Sequence, residues 1–255
     1  MATVLIWLLS YSYVAREGIA IGEYYALLLF ATAGMVIMAG GTNLITIFLG
    51  LEVMSIASYV LAGLLKKRPD SSEASLKYFL MGAFASGFLL YGIALIYGST
   101  GSLDHVVLGE RLAASHAGGS DWLLLVGMGL LVVGFGFKVA AVPFHMWVPD
   151  VYEGAPTSVT GFMAAAVKAA GFAALFRVFA GPLAALHVDW SGILWVVAVL
   201  TMTLGNVAAI TQRNIKRMLA YSSIAHGGYM LLGIICATPR GYSAALFYML
   251  SYMVM

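Results

Sequence analysis

In a chain of 255 residues, 62% hydrophobic and 9% charged, the shortage of charge against about 25% in ordinary soluble domains excludes a water-soluble fold. The net charge of +2, with the basic residues scattered among short loops, excludes nucleic acid as a partner, because gripping a phosphate backbone needs a basic patch. The single cysteine, Cys236, excludes an internal disulfide and any Cys-based metal or iron–sulfur site.

The expected partner is a lipid bilayer, crossed by helices of about 20 apolar residues each. Residues 1–14, MATVLIWLLSYSYV, have no Lys or Arg before them and no A-x-A site after them, so they read as the end of a helix rather than a signal peptide. Full apolar runs follow at 24–41, 43–65, 74–98, 122–142, 157–180 and 191–211, with a shorter one at 222–237. The final stretch, YSAALFYMLSYMVM, is still apolar where it stops, so both ends are expected to belong to a longer protein. With the two partial ends the count is nine segments, joined by short linkers rich in Gly, Pro, Asp and Ser. The fold class expected is all-α, a polytopic transmembrane helical bundle forming a single transmembrane domain over 1–255.

Loop charge predicts the orientation, since cytoplasmic loops retain Lys and Arg. Arg16, Lys66, Lys67, Arg68, Lys77, Arg213, Lys216 and Arg217 fall on one side, against Arg111, Arg177 and Arg240 on the other. The first set is expected to face the cytoplasm of a cell whose inner membrane holds the chain, and the loop PFHMWVPDVYEGAP (143–156) goes with it. Small residues four apart, Gly82 with Ser86 and Ala83 with Gly87, and the Ala/Gly-rich run from Gly161 to Ala174, predict close helix packing. The glycines of GMGLLVVGFG (127–136) lie inside an apolar span with no preceding strand, so they read as packing rather than as a dinucleotide loop.

Three charges fall near the middle of apolar runs or well within them: Glu52, Lys138 and Lys168. Each costs about 2.5–3.5 kcal/mol to insert, and such residues normally face a wet or protein-lined interior and mark a transport path. A structural ion pair locking two helices is the plainer alternative. Lys138 precedes Pro143 by five residues, and a proline disturbs the helix about four residues before it. A helix broken beside a titratable lysine lets freed backbone groups line water. Glu52 and Lys138 are expected to approach within about 4–6 Å, directly or through water. His145, just past the break, and His226, inside the run SSIAHGGYML, read equally as proton relays or as helix–helix hydrogen-bond partners. His105, His116 and His187 read as solvated loop residues, and no His spacing suits a metal.

Four stretches resemble one family. FLGLEVMSIASYVLAGL, EASLKYFLMGAFASGFLLYGIALIYG, GFGFKVAAVPFHMWVPDVYEGAPTSVTGF and KRMLAYSSIAHGGYMLLG are similar to the subunit N family of bacterial respiratory complex I and its mitochondrial and chloroplast counterparts. Related subunits L and M and the Mrp-type cation/proton antiporters share the general pattern. The resemblance covers nearly the whole chain. It implies a fold of about fourteen transmembrane helices with two inverted five-helix repeats, each containing a discontinuous helix. On that pattern residues 24–180 form the complete first repeat and 191–255 begin the second, the chain stopping before the second broken helix. The resemblance makes Glu52 the glutamate of the first repeat, Lys138 its partner on the broken helix, and Lys168 the central lysine.

The implied activity is that of a translocase subunit of NADH-quinone oxidoreductase, in which quinone reduction elsewhere drives proton movement by electrostatic switching. NADH, FMN, iron–sulfur clusters and quinone are then implied for other chains, none of them as a cofactor of this one. The implied partners are the other membrane subunits, neighbouring antiporter-like ones above all. An Mrp-type antiporter subunit without redox work, and a purely structural membrane spacer, stand as alternatives.

Overall fold

The computed structural model describes residues 2–19, 21–115 and 121–254. They form α1 (Ala2–Arg16), α2 (Ile21–Gly40), α3 (Leu44–Ala62), α4 (Pro69–Thr100), α5 (His105–Ser115), α6 (Trp122–Val139), α7 (Val148–Gly154), α8 (Thr157–Phe162), α9 (Lys168–Phe179), α10 (His187–Ile210), α11 (Ile215–Ile235) and α12 (Pro239–Val254). A π-helical turn, Met163–Val167, joins α8 to α9 without interruption. Among the described residues seven helical stretches are long and apolar enough to cross a bilayer, α8 through α9 counting as one. The chain is an all-α, multi-pass membrane bundle. Phe30, Val36, Phe84, Tyr91, Val207 and Ile210 stay exposed on its outside, where lipid rather than water would meet them.

Helix starts follow local chemistry more closely than the apolar runs do. α4 begins at Pro69, before the run expected from 74, because proline suits the first helical position and Asp70 the first turn. α11 begins at Ile215, seven residues ahead of the expected 222, because the Asn214 side chain accepts from the backbone N–H groups of Lys216 and Arg217. α5 was not expected. Asp104 caps it through the N–H groups of Val106 and Val107, and Leu108 and Leu112 bury its inner face. The histidines taken as solvated differ from that expectation. His187 starts α10 with its Nε2 2.9 Å from the Ile235 carbonyl, and His105 starts α5 half-buried; His116 lies outside the described residues.

Helices approach closely where glycines face backbone. A Cβ on Gly34 would come within 2.4 Å of the Met54 nitrogen, and one on Gly50 within 2.5 Å of the Met38 nitrogen, so α2 and α3 cross in backbone contact. Gly92 and Gly127 do the same for α4 and α6. Gly82 packs under the Tyr59 ring. Ala83 and Gly87 instead point outward, and among the described residues nothing comes within 4 Å of a Cβ built on Gly87.

The two ends of the bundle are tied differently. At one end Asp150 of α7 meets Lys77 at 2.8 Å and Arg217 at 2.6 Å, and Arg217 also meets Glu153 at 3.0 Å. Burial alone would push the Asp150 carboxyl up, but the hydrogen bonds from Lys77 and Arg217 outweigh it and hold it below its ordinary value. At the other end Leu44 donates to the Leu103 carbonyl at 3.0 Å and Arg177 to the Gly41 carbonyl at 2.6 Å. The alternation of loops expected from the sequence is therefore followed by the helices.

Cysteines placed at Lys67 and Arg111 in intact cells are expected to label from outside only at position 111. Rapid labelling at position 67, with none at 111, would reverse the orientation that the loop charges predict.

Candidate functional site

Lys138 is the penultimate residue of α6, whose end is closed before Pro143. The Ala141 N–H donates to the Gly136 carbonyl at 2.8 Å and the Ala140 N–H to the Phe137 carbonyl at 3.2 Å. This is a Schellman closure. Ala140 occupies its left-handed position with φ 63°, where glycine is usual and an L-residue is strained. Past the break the Val142 N–H donates to Thr201 Oγ1 at 2.9 Å, and Trp147 Nε1 to the Phe137 carbonyl at 3.2 Å. Other helices thus take up polar groups that lipid would leave unpaired. α7 resumes at Val148, so a discontinuous helix surrounds Lys138 as the sequence predicts.

Lys138 is 3% exposed and Lys168 2%. Lys138 Nζ donates to Ser55 Oγ of α3 at 2.6 Å and lies 5.5 Å from the Tyr59 ring, 5.8 Å from Tyr78 and 5.5 Å from Phe137. Glu52 is half-buried on the same helix as Ser55, and its Oε1 accepts from Ser86 Oγ of α4 at 2.5 Å. No direct Glu52–Lys138 ion pair stands among those of the described residues. Each charge is engaged by a serine, Lys138 by Ser55 and Glu52 by Ser86, with Ser55 one helical turn from Glu52.

Lys168 follows the π turn, a local widening found often at functional sites. Its Nζ donates to the Ser223 carbonyl at 2.6 Å and to the Ser223 hydroxyl, both on α11. It is also 6.0 Å from the Tyr252 ring. α9 carries Lys168 against α6: a Cβ on Gly171, one turn further along, would touch Lys138 Cβ at 3.5 Å. Glu52, Lys138 and Lys168 thus lie on α3, α6 and α9, with α6 packed on α9 and Lys138 reaching α3 through Ser55. A cavity of about 450 Å³ runs from Lys216 past Thr160 and Ser222 to Ser223, roomy enough for several waters.

His226 fits the helix–helix reading: its Nδ1 is 2.6 Å from Tyr248 Oη of α12, and its ring packs 5.0 Å from that of Tyr252. Tyr252 therefore neighbours both His226 and Lys168. His145 is half-buried in the turn after the break, with its Nδ1 buried and unpartnered, and no hydrogen bond of the described residues joins it to Lys138. Ser55, Ser86 and Ser223 were missed from the sequence. The one available signal was that Ser55 follows Glu52 by three residues, which places both on one helix face.

The family described as NADH:quinone oxidoreductase/Mrp antiporter, transmembrane, matches residues 41–255. The chain belongs to this family. It is 56% identical over its whole length to an NADH-quinone oxidoreductase subunit N from Trichlorobacter lovleyi, covering 52% of that protein. It is 47% identical to the subunit N of Nitrosomonas europaea, again covering 52% of it. The chain thus spans about half the length of the curated relatives it matches. Among solved structures it is similar to a chain of respiratory complex I from Thermus thermophilus with bound aureothin. There the identity is 46% and the TM-score 0.76, covering 91% of this chain and 48% of that one. It is also similar to a chain of the Mrp complex from Dietzia sp. DQ12-45-1b, with 27% identity and a TM-score of 0.84, covering 99% of this chain and 47% of that one.

Proposed function

We propose that the chain belongs to a proton-translocating membrane subunit of an NADH-quinone oxidoreductase, of the subunit N kind. In this reading quinone reduction elsewhere in the complex drives protons through Glu52, Lys138 and Lys168, with residues 24–180 as the first repeat and 191–255 as the start of the second. The partners are other membrane subunits of that complex in a cell inner membrane. NADH, FMN, iron–sulfur clusters and quinone are held by other chains. The observation that carries the reading is the row of half-buried Glu52 and buried Ser55, Lys138 and Lys168, in which two lysines sit inside spans with no carboxylate among the described residues bonded to either.

Burial penalises the charged form of an amine, and an opposite charge nearby favours it. Making or breaking the approach of Lys138 to Glu52 therefore changes how tightly each holds a proton, and the change passes to Lys168 through the touching helices α6 and α9. Water in the cavity beside Ser223 would join Lys168 to the end of the bundle that carries Lys216. His145 and His226 enter as auxiliary groups, His226 through its Tyr248 bond.

An Mrp-type antiporter subunit is the second reading, favoured by the 0.84 TM-score over 99% of the chain. The higher identities to subunit N relatives favour the first. Glu52→Gln in the full-length subunit, assembled in its complex and reconstituted in vesicles, is expected to lower quinone-linked proton uptake by at least about tenfold with assembly retained. Wild-type uptake would refute a proton role for Glu52. Sodium-for-proton exchange without any quinone dependence would move the chain to the second reading.

A further inference from the structure

The Lys138 ammonium occupies a site of its own, one helical turn from the carboxylate expected to pair with it. Ser55 Oγ spends its proton on the Leu51 carbonyl, which leaves oxygen lone pairs to accept from Lys138 Nζ. Ring faces flank the ammonium as well. Tyr59, Tyr78 and Phe137 all lie within the roughly 6 Å over which a cation is drawn to an aromatic face. Those rings are fixed in turn: Tyr59 meets Tyr78 edge to face at 4.6 Å, and Tyr78 stacks on Trp147 at 4.4 Å. Glu52 is meanwhile engaged by Ser86 on the opposite helix.

We propose that Ser55 and the rings of Tyr59, Tyr78 and Phe137 form a resting site for the Lys138 ammonium, which moves between this site and Glu52. The inference rests on the reading that Lys138 takes part in proton transfer and adds positioning residues to it. Ser55 and Glu52 are three residues apart on α3, and side chains at that spacing are neighbours on a helix face. The flexible four-carbon lysine stem can therefore serve both without moving a helix. π faces and a hydroxyl hold an ammonium without neutralising it, so the amine can leave for a carboxylate. Lys168 is surrounded by the same residue types, the Ser223 hydroxyl and the Tyr252 ring, which makes the arrangement recur within one chain.

The test uses the full-length complex carrying Ser55→Ala with Tyr78→Leu, read by structure determination and by quinone-linked proton uptake. Removing the acceptor and one ring is expected to shift the amine onto Glu52, with N···O within about 4 Å, and to slow uptake about tenfold. Restoring the ring face as Tyr78→Phe is expected to recover part of that loss. If the double variant does not assemble, Ser55→Cys, which keeps the volume and weakens the acceptor, gives the same comparison. An amine that stays beside position 55, with Glu52 still on Ser86, would overturn the resting site, whatever happens to uptake. Wild-type uptake in Lys138→Ala would instead overturn the functional reading, with the amine's location in the double variant judged separately.

Discussion

Lys168→Ala in the full-length complex is expected to lower quinone-linked proton uptake by roughly 10- to 100-fold, while the subunit still inserts and assembles. Lys168 is 2% exposed within the span Thr157–Phe179, and among the described residues its hydrogen bonds go to Ser223 alone. An amine so placed is costly to keep charged, which suits a group that takes a proton and gives it up. Alanine removes the exchanging group, leaves a serine able to bond within its own helix, and is the best helix former. Lys168→Arg is expected to fail as well, because a guanidinium keeps its proton. The measurement is proton uptake per electron in vesicles, with assembly followed separately. A wild-type ratio in Lys168→Ala would make this residue structural.

Gly50→Leu is the substitution with the largest expected effect on folding. A Cβ at that position would meet the Met38 nitrogen at 2.5 Å and the Gly34 carbonyl oxygen at 2.8 Å. Both are backbone atoms, so no side chain can rotate away. Replacing a helical glycine stabilises a helix by about 1 kcal/mol, but overpacking costs about 1–3 kcal/mol or more, and four extra carbons against backbone put this case at the upper end. Separating α2 from α3 also displaces Glu52 and Ser55 from α4 and α6. Loss of the subunit from the membrane, or a lowered thermal midpoint of the complex, is the expected readout. An unchanged midpoint with normal accumulation would show that α2 and α3 do not cross as described.

The spans and the buried charges were legible because both depend on composition: a run of apolar residues is visible, and Glu52, Lys138 or Lys168 stands out within it. The break was legible because Pro143 removes a donor at a known offset, and α6 does end at Val139. What surrounds the charges was not. Ser55, Ser86 and Ser223 look like ordinary small residues of membrane helices, whose hydroxyls can equally bond their own backbone. α5 was hidden because its apolar positions are too few to mark a span; Leu108 and Leu112 bury its inner face against neighbours. That Lys138 bonds the Ser55 hydroxyl was not legible either, because sequence spacing carries no information on which neighbour across the bundle a flexible lysine selects.

The π turn has no mark in the sequence either, since MAAAV is an ordinary helical segment. Such a turn inserts one residue into a helix without ending it, and each residue advances an α-helix by about 100°. Everything downstream of Met163–Val167 is therefore rotated about the axis relative to Thr157–Phe162 by about that angle. The direction in which the central amine points is set by a single supernumerary residue. A shorter version of the same span, with every residue type kept, would turn Lys168 toward a different neighbour.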